Sequence, residues 1–102
     1  MASFLVHVTT GPDDPTKAAL AFLVAATAAK EGHSVTMFIA GEGVSLFRPG
    51  VASSLEGKGT GRLEQHLAAL SEAGVRLYLS GMSANARGLE RDEVISGHSL
   101  SF

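Results

Sequence analysis

The side chains of this sequence that could do chemistry are few, and most fall short of the motif they resemble. Gly81-Met82-Ser83-Ala84-Asn85 follows a strand-like run and begins like G-x-S-x-G, the tight strand-to-helix turn that presents a nucleophilic serine. Asn85 stands where the second glycine belongs, and no His–acid pair stands out downstream beyond His98. Hydrolysis at Ser83 is therefore not expected. Gly57-Lys58-Gly59-Thr60 echoes a phosphate loop but lacks the G-x-x-x-x-G-K-[ST] spacing and follows no strand. The four histidines, His7, His33, His66 and His98, show no metal-ligand spacing. With no cysteine anywhere in the chain, its own residues cannot perform thiol, persulfide or disulfide chemistry. No catalytic residue, metal or cofactor is expected.

The remaining candidates depend on the elements that position them. Phe4 to Thr10 is a short apolar, partly β-branched run that ends at Gly11-Pro12-Asp13-Asp14-Pro15, which predicts a strand and a turn. Asp14 as N-cap and Pro15 at the first helical position start a helix to about Glu31, with Gly32 as its left-handed terminator. Between Ala18 and Ala29 this helix is apolar almost all round. It is expected to be covered on one side by its sheet and on the other by a neighbouring subunit. A second strand runs from Ser34 to Ala40, and Val44 to Arg48 suits a turn of helix. Residues 51–61 read as a mobile loop, Thr60 caps a helix to about Ala73, and Val75 to Ser80 is a third strand. A short helical turn over Ser83 to Arg87 follows, and Ser99 to Phe102 alternates like an edge strand. Strand–helix alternation of this kind predicts a parallel sheet with crossover helices.

Ligands of open parallel sheets bind beyond the C-terminal ends of the strands. Here that edge consists of Thr10 and Gly11, then Gly41, Glu42 and Gly43, then Ser80, Gly81, Met82 and Ser83. Glycine there allows close backbone approach, and the short helix after Ser83 would aim free amides at the same edge. These nine positions are the candidate ligand-binding residues. Glu42 is either a ligand-facing carboxylate or a solvent-exposed turn acid. Arg87 either binds an anion near the third turn or pairs with Glu90. His7, in a strand whose Leu5, His7 and Thr9 share a face, is expected to be a buried, hydrogen-bonded core histidine.

At 102 residues the chain fits one domain, 1–102. Its 45% hydrophobic and 18% charged content suits a globular fold rather than disorder. A net charge of −2 without a basic patch argues against nucleic-acid binding. The longest apolar run, Ala18 to Ala29, falls well short of the roughly 20 residues that span a bilayer. The first residues carry no basic segment ahead of an apolar core, so no signal peptide is expected and the cytoplasm is the default location.

Several segments in order resemble the DsrE/DsrF-like proteins of sulfur metabolism: Gly11-Pro12-Asp13-Asp14-Pro15-Thr16, the alanine-rich helix, and Gly32-His33-Ser34-Val35-Thr36-Met37-Phe38. Gly41-Glu42-Gly43-Val44 and the stretch from Gly74 through Ser80-Gly81-Met82-Ser83 to Gly88 extend the likeness over most of residues 4–88. The resemblance implies a three-layer α/β/α fold with a mainly parallel sheet, the C-terminal helix and strand shortened here, and frequent homo-oligomers. Some members of that family carry persulfide sulfur on a cysteine near the end of the strand leading into the last motif, and Ser80 occupies that place. A serine hydroxyl cannot hold a persulfide and needs a neighbouring base to become a nucleophile.

Two functions follow as expectations. The first is a non-catalytic, oligomer-forming DsrE-like domain that binds a small ligand or a partner protein at the strand-end edge. The alternative is a sulfur-relay protein or accessory whose cysteine is absent here or comes from a partner. Neither involves nucleic acid or a membrane.

Overall fold

The structure is a computed structural model and describes residues 2–89 and 100–101. Strand β1 (Ser3–Val8) leads into helix α1 (Pro15–Lys30), strand β2 (Ser34–Ile39) and a 3₁₀ helix (Gly41–Phe47). A short helix α2 (Val51–Ser54) and a hairpin of β3 (Glu56–Gly57) and β4 (Gly61–Arg62) precede helix α3 (Leu63–Glu72). Strand β5 (Arg76–Leu79), helix α4 (Gly81–Ala86) and strand β6 (Leu100–Ser101) complete the described elements.

Four parallel strands form one sheet in the order β1-β2-β5-β6. That order steps in a single direction. Because β-crossover-β connections are right-handed, successive steps in one direction place their helices on the same face. Accordingly α1 packs along α3 as well as on β1 and β2. The pleat then divides each strand. Val8, Val35, Met37, Ile39, Leu77 and Leu79 point to the helices and are buried, whereas Leu5, His7, Phe38, Arg76 and Tyr78 lie on the opposite face and are exposed. The mixed α/β class and the mainly parallel sheet agree with the sequence expectation. Leu100 and Ser101 pair in parallel with Leu77 and Tyr78, in the edge position predicted for Ser99 to Phe102. Ser99 and Phe102 themselves lie outside the described residues.

Local signals explain the main elements. The Asp14 side chain accepts a hydrogen bond from the Lys17 backbone N–H at 3.2 Å, and Pro15 opens α1, as predicted. Phe22 on α1 meets Phe47 at 6.1 Å between ring centres, with both side chains fully buried. The segment expected as a turn of helix thus also supplies Val44, Leu46 and Phe47 to the core.

Three expectations are corrected. Residues 51–61 hold α2 and the β3–β4 hairpin, because Ala52, Leu55 and Gly57 are buried under the core. Thr60 does not cap α3: its hydroxyl donates to the Thr16 carbonyl oxygen at 3.3 Å, and the helix starts at Leu63. One flank of α1 packs against α3 and β3 of the same chain, while Leu20 and Val24 of that helix remain exposed. His7 is not buried. It is exposed on the open face of the sheet, with its ring tilted against Phe38 at 5.4 Å.

Candidate functional site

The strand ends come together because the sheet is parallel. Beyond β1 and β2 the ladder continues, with the Ala40 N–H donating to the Val8 carbonyl at 2.9 Å. Beyond β2 and β5 it continues again, with the Ser80 N–H donating to the Ile39 carbonyl at 2.8 Å. Thr10 and Gly11, the Gly41-Glu42-Gly43 turn and Ser80 to Ser83 therefore share one edge of the molecule.

At that edge the turns touch directly. Gly11 is buried, and a Cβ atom there would lie 2.7 Å from the Glu42 carbonyl oxygen, so only glycine lets the first turn approach the second. Gly43 is likewise buried against the Val8 carbonyl. The Gly41 N–H donates to the Ser83 Oγ at 2.9 Å, which ties the second turn to the third. Helix α4 begins at Gly81, two residues before the expected start, because Ser80 is its N-cap. The Ser80 Oγ accepts from the Ser83 N–H at 3.2 Å.

Arg87 takes a partner that its sequence position did not suggest. Its Nη2 and Nε reach Glu42 Oε1 at 2.7 and 2.9 Å, and its Nη1 donates to the Ser83 carbonyl at 3.1 Å. Glu90, the other partner considered, lies outside the described residues. Arg48 adds a further brace by donating from Nη2 to the Arg87 carbonyl at 2.6 Å. Sequence reasoning gave Arg48 no role, and no motif marks it, since its partner is 39 residues away. The nine predicted positions are thus gathered at one edge, with unequal access: Thr10, Gly41, Ser80, Gly81 and Ser83 are half-buried, Glu42 is exposed, and the Met82 side chain is 85% exposed.

Chemically, the polar groups of this edge are engaged with one another. Ser80 and Ser83 accept hydrogen bonds from main-chain amides, and among the described residues no histidine hydrogen-bonds to either. His66 is engaged elsewhere, its Nε2 being 2.7 Å from the Thr60 carbonyl oxygen. His33 Nδ1 accepts from the Ala2 N–H. Among the described residues, no group of three His, Asp or Glu side chains gathers closely enough to hold a metal ion. No described helix is long and apolar enough to cross a membrane. Beside the first turn a cleft of about 510 Å³ opens between Pro12, Pro15, Pro49 and Leu55, a volume within the range of small-ligand sites. The sequence reading missed this cleft because it took residues 51–61 as a loop, and a pocket wall needs an ordered segment.

Among curated proteins no similar sequence was found. The family comparison is decisive instead: the model described as the DsrE/DsrF-like family matches residues 2–101, nearly the whole chain. The chain has no cysteine, and the protein is a cysteine-less member of the DsrE/DsrF-like family.

Proposed function

We propose that this protein is a non-catalytic, self-associating member of the sulfur-relay-related DsrE/DsrF-like family that binds a small ligand or a partner protein at the strand-end edge. One observation carries the non-catalytic part. Position 80, to which the resemblance assigns the sulfur-carrying cysteine, holds a serine whose Oγ is engaged as the N-cap of α4. A capping hydroxyl with no base beside it is neither a sulfur carrier nor an activated nucleophile. The binding part is supported by the cleft at Pro12 and Pro15 next to the candidate turns and by Glu42 and Met82, which reach solvent from the same edge.

The test combines light scattering after size exclusion with a thermal-shift screen of small metabolites. Self-association and a ligand that raises the melting temperature are the expected results. A monomer with no stabilising ligand would remove the reading.

Family membership favours one second reading, sulfur relay with the thiol supplied by another chain. Mass spectrometry of Ser80→Cys after exposure to a persulfide donor examines whether this edge still supports the chemistry. Gain of one sulfur atom at position 80 would favour relay, and an unmodified thiol would count against it.

A further inference from the structure

The cleft beside the first turn is richer in hydrogen-bond acceptors than in donors. It opens over about 510 Å³ between the turn that follows β1 and the segment that carries α2 and the start of β3. Pro12, Pro15 and Pro49 line it, and a proline has no backbone N–H to donate. At two further positions the donor is already used. The Val51 N–H donates to the Arg48 carbonyl at 3.2 Å. The Ser54 hydroxyl faces the Gly50 and Val51 carbonyls at 3.0 and 3.1 Å and donates to them. Acceptors remain, above all the carboxylate of Glu56, which when ionised can only accept.

Glu56 gives this imbalance a sign. Arg62 stands opposite it in the β3–β4 hairpin, yet the guanidinium turns elsewhere, to Glu64 at 3.6 Å and to the Ser53 carbonyl at 3.2 Å. Among the described residues Glu56 therefore has no ion-pair partner. Asp13 and Asp14 lie between the first two prolines, and no lysine, arginine or histidine is among the described residues that line the cleft. An anion entering it would meet like charge and find few N–H groups to replace its water. A cation that carries its own donors would meet the reverse.

We infer that this cleft binds an organic ammonium ion with an apolar body, of which an aralkylamine is the simplest example. The inference rests on the ligand binding proposed above and names the class of ligand. The ammonium group donates to the Glu56 carboxylate, a charge-assisted contact stronger than one between neutral groups. The body lies against the rings of Pro12, Pro15 and Pro49 and against Val51 and Leu55. Proline backbones are already fixed in φ, so these walls lose little freedom when a ligand seats on them. A bare metal ion does not suit the cleft. Among the described residues no group of three His, Asp or Glu side chains gathers to hold one, and apolar walls offer it nothing.

Two probes of similar size and opposite charge, phenethylamine and phenylacetate, test this on the whole protein by amide NMR titration. Phenethylamine is expected to shift the Val51, Leu55 and Glu56 signals to saturation, while phenylacetate leaves them in place. Glu56→Gln should weaken amine binding by about five-fold, and Glu56→Lys should transfer the preference to phenylacetate. Glu56 is exposed, so both variants are expected to fold, which their unchanged spectra elsewhere record. Saturable binding of phenylacetate to the wild type overturns the ligand class and leaves the cleft a ligand site. Amine binding that ignores both Glu56 variants overturns the role of the carboxylate and the inference with it. If neither probe shifts these signals the cleft assignment falls, and the broader reading is decided separately by the metabolite screen and light scattering.

Discussion

The strand-end turns and the β1 edge are both places where a parallel sheet offers groups to a partner, yet they are built oppositely. At the strand ends, polar groups are tied to one another. Ser80 caps α4, Ser83 receives the Gly41 amide, and Arg87 bridges Glu42 and the Ser83 carbonyl. Along β1 the outer backbone groups have no strand partner among the described residues, and the flanking side chains are apolar. The difference teaches that one fold can be braced at one edge and not at another. The edge where related chemistry would be placed is braced internally, whereas the outer side of β1 has no such bracing among the described residues.

Substitutions can break or sharpen this contrast. The largest effect is expected at Gly11→Ala, which forces a methyl against the Glu42 carbonyl. It should lower stability by about 2–3 kcal/mol, read as an earlier thermal or urea midpoint. Unchanged stability would show that the turns are not braced through this approach. Ser80→Ala removes the α4 cap and should cost about 1 kcal/mol in the same assay. Ser80→Cys is expected to lose less, since the thiol retains a weak acceptor. Glu42→Gln weakens an ion pair whose carboxylate side chain is 60% exposed, so solvent screening limits the loss to about 0.5 kcal/mol. High salt should shrink the gap from wild type.

The smallest effect on folding belongs to the other region. Leu5→Lys, at a site 70% exposed, should change unfolding of the isolated chain by no more than about 0.5 kcal/mol. Any self-association through this apolar strand should fall, read as sedimentation or scattering mass, because an exposed lysine disfavours strand pairing. A variant that unfolds early without altering assembly would reverse the assignment of roles.

Much of the frame was legible along the chain because its signals are local. Asp14 and Pro15 begin α1 by capping chemistry that spans three residues. The placement of the candidate turns at one edge followed from strand–helix alternation and a general property of parallel sheets. Contacts distant in sequence were not legible. Arg87 finds Glu42 45 residues away, and Thr60 serves Thr16 rather than the helix it precedes. His7 was misjudged because alternation reveals which residues share a face but not which face is covered.

By itself, then, the sequence determined the α/β class, the start of the first helix, the glycines where backbones meet and the impossibility of thiol chemistry. Each depends on residue type or on neighbours within a turn. Only the tertiary structure decided that both long helices lie on one side, that the Ser80 and Ser83 hydroxyls are engaged by main-chain amides, and that β1 stands at one end of the strand order among the described residues. The physical reason is strand order. It decides which faces are covered and which backbone groups find partners, and it is set by packing between segments that no local pattern relates.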